Sequence, residues 1–148
     1  MKKKFNNTIK SIIELFENIS FDSNFEILCK KSIRAINNNK KIIFFGNGGS
    51  ASDAQHLATE LTCKFKKKRI ALPAISLATD TSALTAIGND YGFKYVFSRQ
   101  LSAIGNRGDI VIAITTSGNS QNLIEAMKVA KKNKITTFCF SGNNGGKL

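Results

Sequence analysis

Glu60 and His56, four residues apart, are the side chains best suited by type and spacing to move a proton. On a helix that interval puts both on one face, and a carboxylate there can act as a general base. The pair could also supply half of a zinc site, since imidazole and carboxylate both ligate zinc. His56 is the chain's only histidine, and a lone helical histidine is more often a satisfied core or interface residue than a ligand. What shifts the pair toward function is the polar turn just before it, Gly46-Asn47-Gly48-Gly49-Ser50. Glycines let a backbone approach a ligand closely and reach positive φ. Ser50 is a natural N-cap, with Asp53 three residues on to complete a capping-box-like start. The helix would then aim unpaired N–H groups at an anion or a ring of hydroxyls.

Two further polar turns follow apolar runs: Thr115-Thr116-Ser117-Gly118-Asn119-Ser120 and Ser141-Gly142-Asn143-Asn144. The first is dense in hydroxyls and opens a helix, which suits phosphate without requiring a lysine. Ordinary Ser/Thr/Gly turn chemistry would explain one such turn. Three that converge at the carboxyl ends of parallel strands favour a ligand site. Gly46-x-Gly48-x-x-Ala51 also fits a loose dinucleotide fingerprint, which needs an acidic residue about 20 positions on. Here the first candidate after the next strand is Asp80, 34 positions beyond Gly46, so NAD(P) is rejected.

The elements that must position these residues are legible from periodicity. Apolar residues at helical spacing predict helices over about Lys3 to Ile19 and Asp22 to Asn37. Strands are expected at Ile42–Phe45, Leu72–Leu77, Asp109–Ile114 and Ile135–Phe140. Helices are expected at about Ser50 to Thr62, Thr79 toward Ile87, Phe93 to Ile104 and Ser120 to Lys132, with Gly88–Gly92 as a loop. Strands alternating with helices imply a parallel sheet with right-handed crossovers. The expected organisation is one domain, with residues 1–39 a helical pair and 40–148 the α/β core.

Lys and Arg number 22 against 10 Asp and Glu, a net charge of +12. That balance favours anionic partners such as phosphorylated metabolites. Yet the lysine clusters sit near element ends, where they ordinarily solvate, and no aromatic interleaving suggests a nucleic-acid platform. Three isolated cysteines, Cys29, Cys63 and Cys139, read as a reduced cytoplasmic protein without a disulfide framework. No apolar run approaches a membrane span, and polar Asn6, Asn7 and Thr8 stand where a leader would be apolar.

Gly46-Asn47-Gly48-Gly49-Ser50-Ala51, with Asp53-Ala54-Gln55-His56 and Glu60, resembles the phosphoheptose isomerases of the sugar isomerase (SIS) fold. So do Asn89-Asp90-Tyr91-Gly92-Phe93 with Val96–Gln100, and Thr116–Ser120 with Asn122. The resemblance implies a flavodoxin-like, doubly wound parallel sheet preceded by two helices, assembled as a homotetramer with active sites between subunits. It implies interconversion of sedoheptulose 7-phosphate and glycero-manno-heptose 7-phosphate for lipopolysaccharide or capsule. Asn47, Gly48, Gly49 and Ser50 would then hold the sugar with Asn89 and Asp90. Thr115, Thr116, Ser117 and Ser120 would hold the phosphate. Glu60 would move the proton through an enediol, and His56 and Glu60 would ligate zinc in members that bind it. The family continues past this point with a strand and a helix carrying a glutamine and a second histidine. Weak or absent activity is therefore expected of the 148-residue chain alone. The competing reading is a non-catalytic SIS domain that binds phosphosugars or a replication initiator.

Overall fold

Four apolar runs form the four strands of a wholly parallel sheet: β1 (Ile42–Gly46), β2 (Ala74–Ser76), β3 (Ile110–Thr115) and β4 (Thr136–Ser141), in the order β2-β1-β3-β4. The computed structural model describes residues 1–20, 23–142 and 144–148. Asp22, the expected start of the second helix, and Asn143, in the final polar turn, lie outside the described residues. Every residue of β1 is buried, which explains its unbroken apolar sequence: both of its faces are covered. Ile43 and Phe45 join one core with Val111, Ala113, Leu101 and Leu123. Each of these side chains larger than alanine contributes roughly 1.5–3 kcal/mol by leaving water. The Phe45 and Phe97 rings pack with centroids 5.3 Å apart.

The helices are α1 (Lys2–Glu17), α2 (Ser23–Asn37), α3 (Gly49–Thr62), α4 (Thr81–Asp90), α5 (Val96–Ile104) and α6 (Gln121–Lys132), with a single 3-10 turn at Phe93–Tyr95. Helix α3 turns Ala54 and Ala58 inward onto the sheet, while α5 and α6 cover the face lined by Ile43 and Phe45. Helices on both faces make the sheet doubly wound. The chain divides into two compact units, residues 1–30 and 31–148. In the first, α1 is amphipathic but has no buried residue; Phe5, Ile9, Ile12, Ile13 and Phe16 are all exposed.

Several boundaries differ from the periodicity reading. Strand β2 is three residues rather than six, because Pro73 has no N–H to give the ladder. Only its carbonyl takes part, accepting from Ile42 N–H at 3.0 Å. The expected loop at Gly88–Gly92 is in part helix: α4 runs through Gly88, Asn89 and Asp90, a single glycine being tolerated there at modest cost. Ser50 is not the N-cap of α3. Gly48, at φ +55°, caps it without a side-chain hydrogen bond, and the Ser50/Asp53 capping box does not form. The left-handed turn at Gly48 starts the helix one residue early and puts Ser50 in its first turn.

Gly46 shows how tightly that turn is built. A Cβ there would stand 2.7 Å from Ser50 Cβ and from the Ser50 carbonyl, and 2.8 Å from the Ile114 carbonyl. Two of those three obstacles are backbone and cannot step aside. Gly46→Ala is therefore expected to cost about 1–3 kcal/mol, read as a lower urea midpoint. An unchanged midpoint would show that the turn can relax.

At the opposite end of the sheet, Asp109 is buried just before β3. Its Oδ2 accepts from Lys41 Nζ at 2.6 Å and from Asn106 N–H at 2.8 Å, and its Oδ1 accepts from Lys41 N–H at 3.1 Å. This clamp ties the amino ends of β1 and β3, where Ile42 pairs with Ile110.

Candidate active site

The strand order places two polar turns side by side. β1 and β3 are neighbours, and Gly46 pairs with Ile114. The turns that follow them, Asn47–Ser50 and Thr115–Ser120, therefore leave the sheet at adjacent carboxyl ends. The connections from β1 and β3 lead to opposite faces, so a crevice opens between them, the usual ligand position in open α/β sheets.

The Thr115–Ser120 turn is shaped from within. Thr115 is buried, and its Oγ1 accepts from Gly118 N–H at 3.2 Å. Gly118 takes φ +65°, which a side chain would resist. Thr116 and Ser117 are exposed at the crest. Ser117 Oγ accepts from Asn119 N–H at 3.2 Å. Ser120 caps α6 by position, yet its hydroxyl makes no cap hydrogen bond. Thr116, Ser117 and Ser120 are therefore presented together with the N–H groups of Gln121 and Asn122 at the start of α6. An oxyanion fits such a cradle by hydrogen bonding and by the helix dipole.

The third polar turn and the residues after it pack against the second. Gly142 N–H donates to the Thr115 carbonyl at 3.3 Å, and Lys147 N–H to the Gly118 carbonyl at 3.0 Å. Gly145 and Gly146 lie against Gly118 so closely that no Cβ fits. This segment braces the hydroxyl-rich turn through backbone contacts.

Asn47 follows β1, and its amide pairs with that of Asn122, in the first turn of α6. Asn47 Nδ2 donates to Asn122 Oδ1 at 3.0 Å, and Asn122 Nδ2 donates to Asn47 Oδ1 at 2.8 Å. Asn122 is buried, although only the apolar residues of this helix would be expected to turn inward. Its signal is weak because Asn is common in helix first turns for purely local reasons.

His56 and Glu60 do share a face of α3, with His56 Nε2 3.3 Å from Glu60 Oε1. Glu60 Oε2 is buried and has no hydrogen-bond partner among the described residues, an arrangement that native structures seldom leave without a purpose. Arg69 holds this end of the helix: Nη2 donates to the Glu60 carbonyl at 2.6 Å and Nη1 to the Leu61 carbonyl at 2.8 Å. Asp53, His56 and Leu57 line a pocket of about 300 Å³ with Ile114 and Phe140. Glu60 itself lies eleven residues beyond Gly49, the first residue of α3, which is about 16 Å along the axis. Asn89 and Asp90 likewise close α4, and Asn89 Nδ2 donates to Asp90 Oδ1 at 2.8 Å. Thus one chain joins Asn47, Gly48, Gly49 and Ser50 to the Thr115–Ser120 turn, whereas Glu60, Asn89 and Asp90 stand at the far ends of their helices. As for zinc, among the described residues no three His, Cys, Asp or Glu side chains gather. His56 and Glu60 offer two donors where a protein zinc site has three or four, so the residues of one chain do not fit a complete site.

A parallel α/β domain with a hydroxyl-rich turn beside a glycine turn at adjacent strand ends has the form of a ligand-binding crevice. The family model described as SIS domain matches residues 4–142. The phosphoheptose isomerase of Campylobacter concisus is 52% identical over 132 residues, 89% of this chain and 70% of that protein. That of Nitratiruptor is 54% identical over 122 residues, 82% and 64% of the two chains. That of Aquifex aeolicus is 56% identical over 114 residues, 77% and 60% of the two. The structure of the phosphoheptose isomerase GmhA from Neisseria gonorrhoeae superposes with a TM-score of 0.84 at 42% identity, covering 99% of this chain and 76% of that one. A phosphoheptose isomerase from Francisella tularensis gives 0.87 at 34% identity, with the same coverage. The chain belongs to the SIS domain family and, within it, to the family of the phosphoheptose isomerases. It spans 60–70% of the length of these three curated relatives. They do not favour the non-catalytic alternative.

Proposed function

We propose that the protein is an aldose–ketose isomerase acting on sedoheptulose 7-phosphate. The observation that carries this reading is the hydroxyl-rich turn at the start of α6, set beside the Asn47–Ser50 turn across β1 and β3. Thr116, Ser117 and Ser120 and the first N–H groups of α6 take the phosphate, with Thr115 holding the turn in shape. Asn47, Gly48, Gly49 and Ser50 take the sugar hydroxyls. Fixing the phosphate end leaves the reacting carbons little freedom, which is how remote binding energy assists a proton transfer.

Glu60 supplies the base. Its carboxylate removes a proton from C1 of the ketose; the C1–H electron pair becomes C1=C2, and the C2=O π pair moves to O2, which takes a proton from solvent to give the enediol. The O1 hydroxyl then gives up its proton to solvent as C1=O forms, and the C1=C2 pair takes the proton back from Glu60 at C2, completing the aldose. The placement of Glu60 near the end of α3 and of Asn89 and Asp90 at the end of α4 supports a site completed between copies, as in the homotetramer that the family resemblance implies. Zinc belongs to this reading only as a ligand of the His56–Glu60 half-site, and no step runs through it. The product would feed lipopolysaccharide or capsule. Cys29, Cys63 and Cys139 are unpaired, and no helix among the described residues is long and apolar enough to cross a membrane. Both facts support a cytoplasmic setting.

The test is proton NMR of sedoheptulose 7-phosphate with the purified chain in deuterated buffer. The expected result is deuterium exchange at C1 of the ketose, with the aldose 7-phosphate accumulating slowly at most. Binding of the sugar phosphate without product or exchange would turn the assignment toward a binding domain.

A further inference from the structure

The sugar turn and the phosphate turn meet through one side-chain pair, and its hydrogen bonds have a direction. Leu123 N–H donates to Asn122 Oδ1 at 3.1 Å. That bond fixes which end of the Asn122 amide is oxygen, so Nδ2 must face the other way. Asn47 has no choice but to answer with its own oxygen to Nδ2 and its own nitrogen to Oδ1. The backbone of α6, whose first turn forms part of the phosphate cradle, thereby sets the orientation of an amide 75 positions earlier in the chain. Asn122 is 3% exposed, so water does not compete for these bonds. An amide carries two N–H donors and two acceptor lone pairs. The pairing uses one of each on Asn47 and leaves one of each for a ligand.

We propose that Asn122 is a positioning residue that couples the two halves of the substrate site. It touches no substrate. It holds the Asn47 amide, and with it the Asn47–Ser50 turn, in register with the phosphate cradle, so that a phosphate and its attached polyol are bound as one ligand rather than as two. This inference rests on the phosphosugar reading and adds to it a residue that has no contact with the ligand. A residue serving only to stabilise α6 would weaken the phosphate cradle first, since α6 is part of that cradle. A coupling residue leaves the cradle intact and removes the advantage of having the sugar attached.

Titration calorimetry with two probes, inorganic phosphate and sedoheptulose 7-phosphate, separates these cases. For Asn122→Ala and for Asn122→Ser, which keeps a local acceptor for Leu123 N–H, the sugar phosphate is expected to bind about tenfold more weakly. Inorganic phosphate should change by less than about threefold. Loss of both affinities in parallel, or of neither, would overturn the coupling role. In the unaltered protein the Asn47 side-chain amide protons should exchange slowly with solvent, and rapid exchange would overturn it without any variant. Failure of the unaltered protein to bind sedoheptulose 7-phosphate would instead remove the phosphosugar reading, and this inference with it.

Discussion

Replacing Glu60 by glutamine is expected to lower the turnover of sedoheptulose 7-phosphate, relative to the unaltered chain, by about 10²–10⁴-fold, the usual contribution of a positioned general base. The substitution keeps the side chain's length and one carbonyl oxygen but removes its ability to accept the C1 proton. The helix should tolerate it. Ala58, two residues earlier, still packs inward, and Arg69 grips the Glu60 backbone carbonyl rather than its side chain. Only the 3.3 Å approach to His56 and the unpartnered Oε2 are altered. Binding of the sugar phosphate should therefore stay within about threefold of the unaltered protein. Deuterium wash-in at C1 is the sharper readout, because it needs the base alone. A Glu60→Gln protein that still exchanges that proton at the original rate would transfer the role of base elsewhere. If binding and exchange fall together, Glu60 holds the ligand and is not its base.

The second large effect concerns stability. Asp109→Ala is expected to cost about 3 kcal/mol, toward the lower end of what breaking one side of a buried pair costs. The carboxylate is 1% exposed and takes three donors, from Lys41 Nζ, Lys41 N–H and Asn106 N–H. Its loss leaves two backbone N–H groups without their acceptor, each a penalty of roughly 1–3 kcal/mol if water cannot reach it. Lys41 moderates the sum, because its side chain is 26% exposed and can turn its ammonium to solvent. Asp109→Asn retains one acceptor oxygen and should lose less. Urea unfolding of the three proteins gives the comparison, and a loss under about 1 kcal/mol for Asp109→Ala would mean the clamp is not a main support of the β1–β3 pairing. Because that pairing sets Gly46 opposite Ile114, a weakened clamp should also loosen the crevice at the far end of the same two strands.

The resemblance in the motifs and the matches to known relatives agree on the family. The physical reading of the residues reached part of the candidate site without them. It found the hydroxyl-rich turn, the glycine turn and the His56–Glu60 pair, because each is a short-range pattern. It placed Ser50 as a cap and Asn89 and Asp90 in a loop because capping and loop signals are equally local. Both readings yielded to backbone geometry: the left-handed turn at Gly48 and a helix that continues through Gly88. It grouped the Ser141–Asn144 turn with the other two; in the structure Gly142 N–H reaches the Thr115 carbonyl, and Gly145 to Lys147 pack on Gly118. Polar composition does not reveal whether a turn's N–H groups face a ligand or another turn.

By itself, then, the sequence determined the kinds of element and their order: four strands, helices between them, and polar turns at the strands' carboxyl ends. Burial periodicity is written residue by residue, so it survives without the fold. The tertiary structure alone decided which strands are neighbours, and through that which turns meet. It joined Asn47 to Asn122 across 75 positions and Lys41 to Asp109 across 68. It also set Glu60 at the far end of α3 from the turn that precedes that helix. Such pairings depend on crossover handedness and strand register, which are properties of the whole sheet and leave no mark in any single stretch of chain.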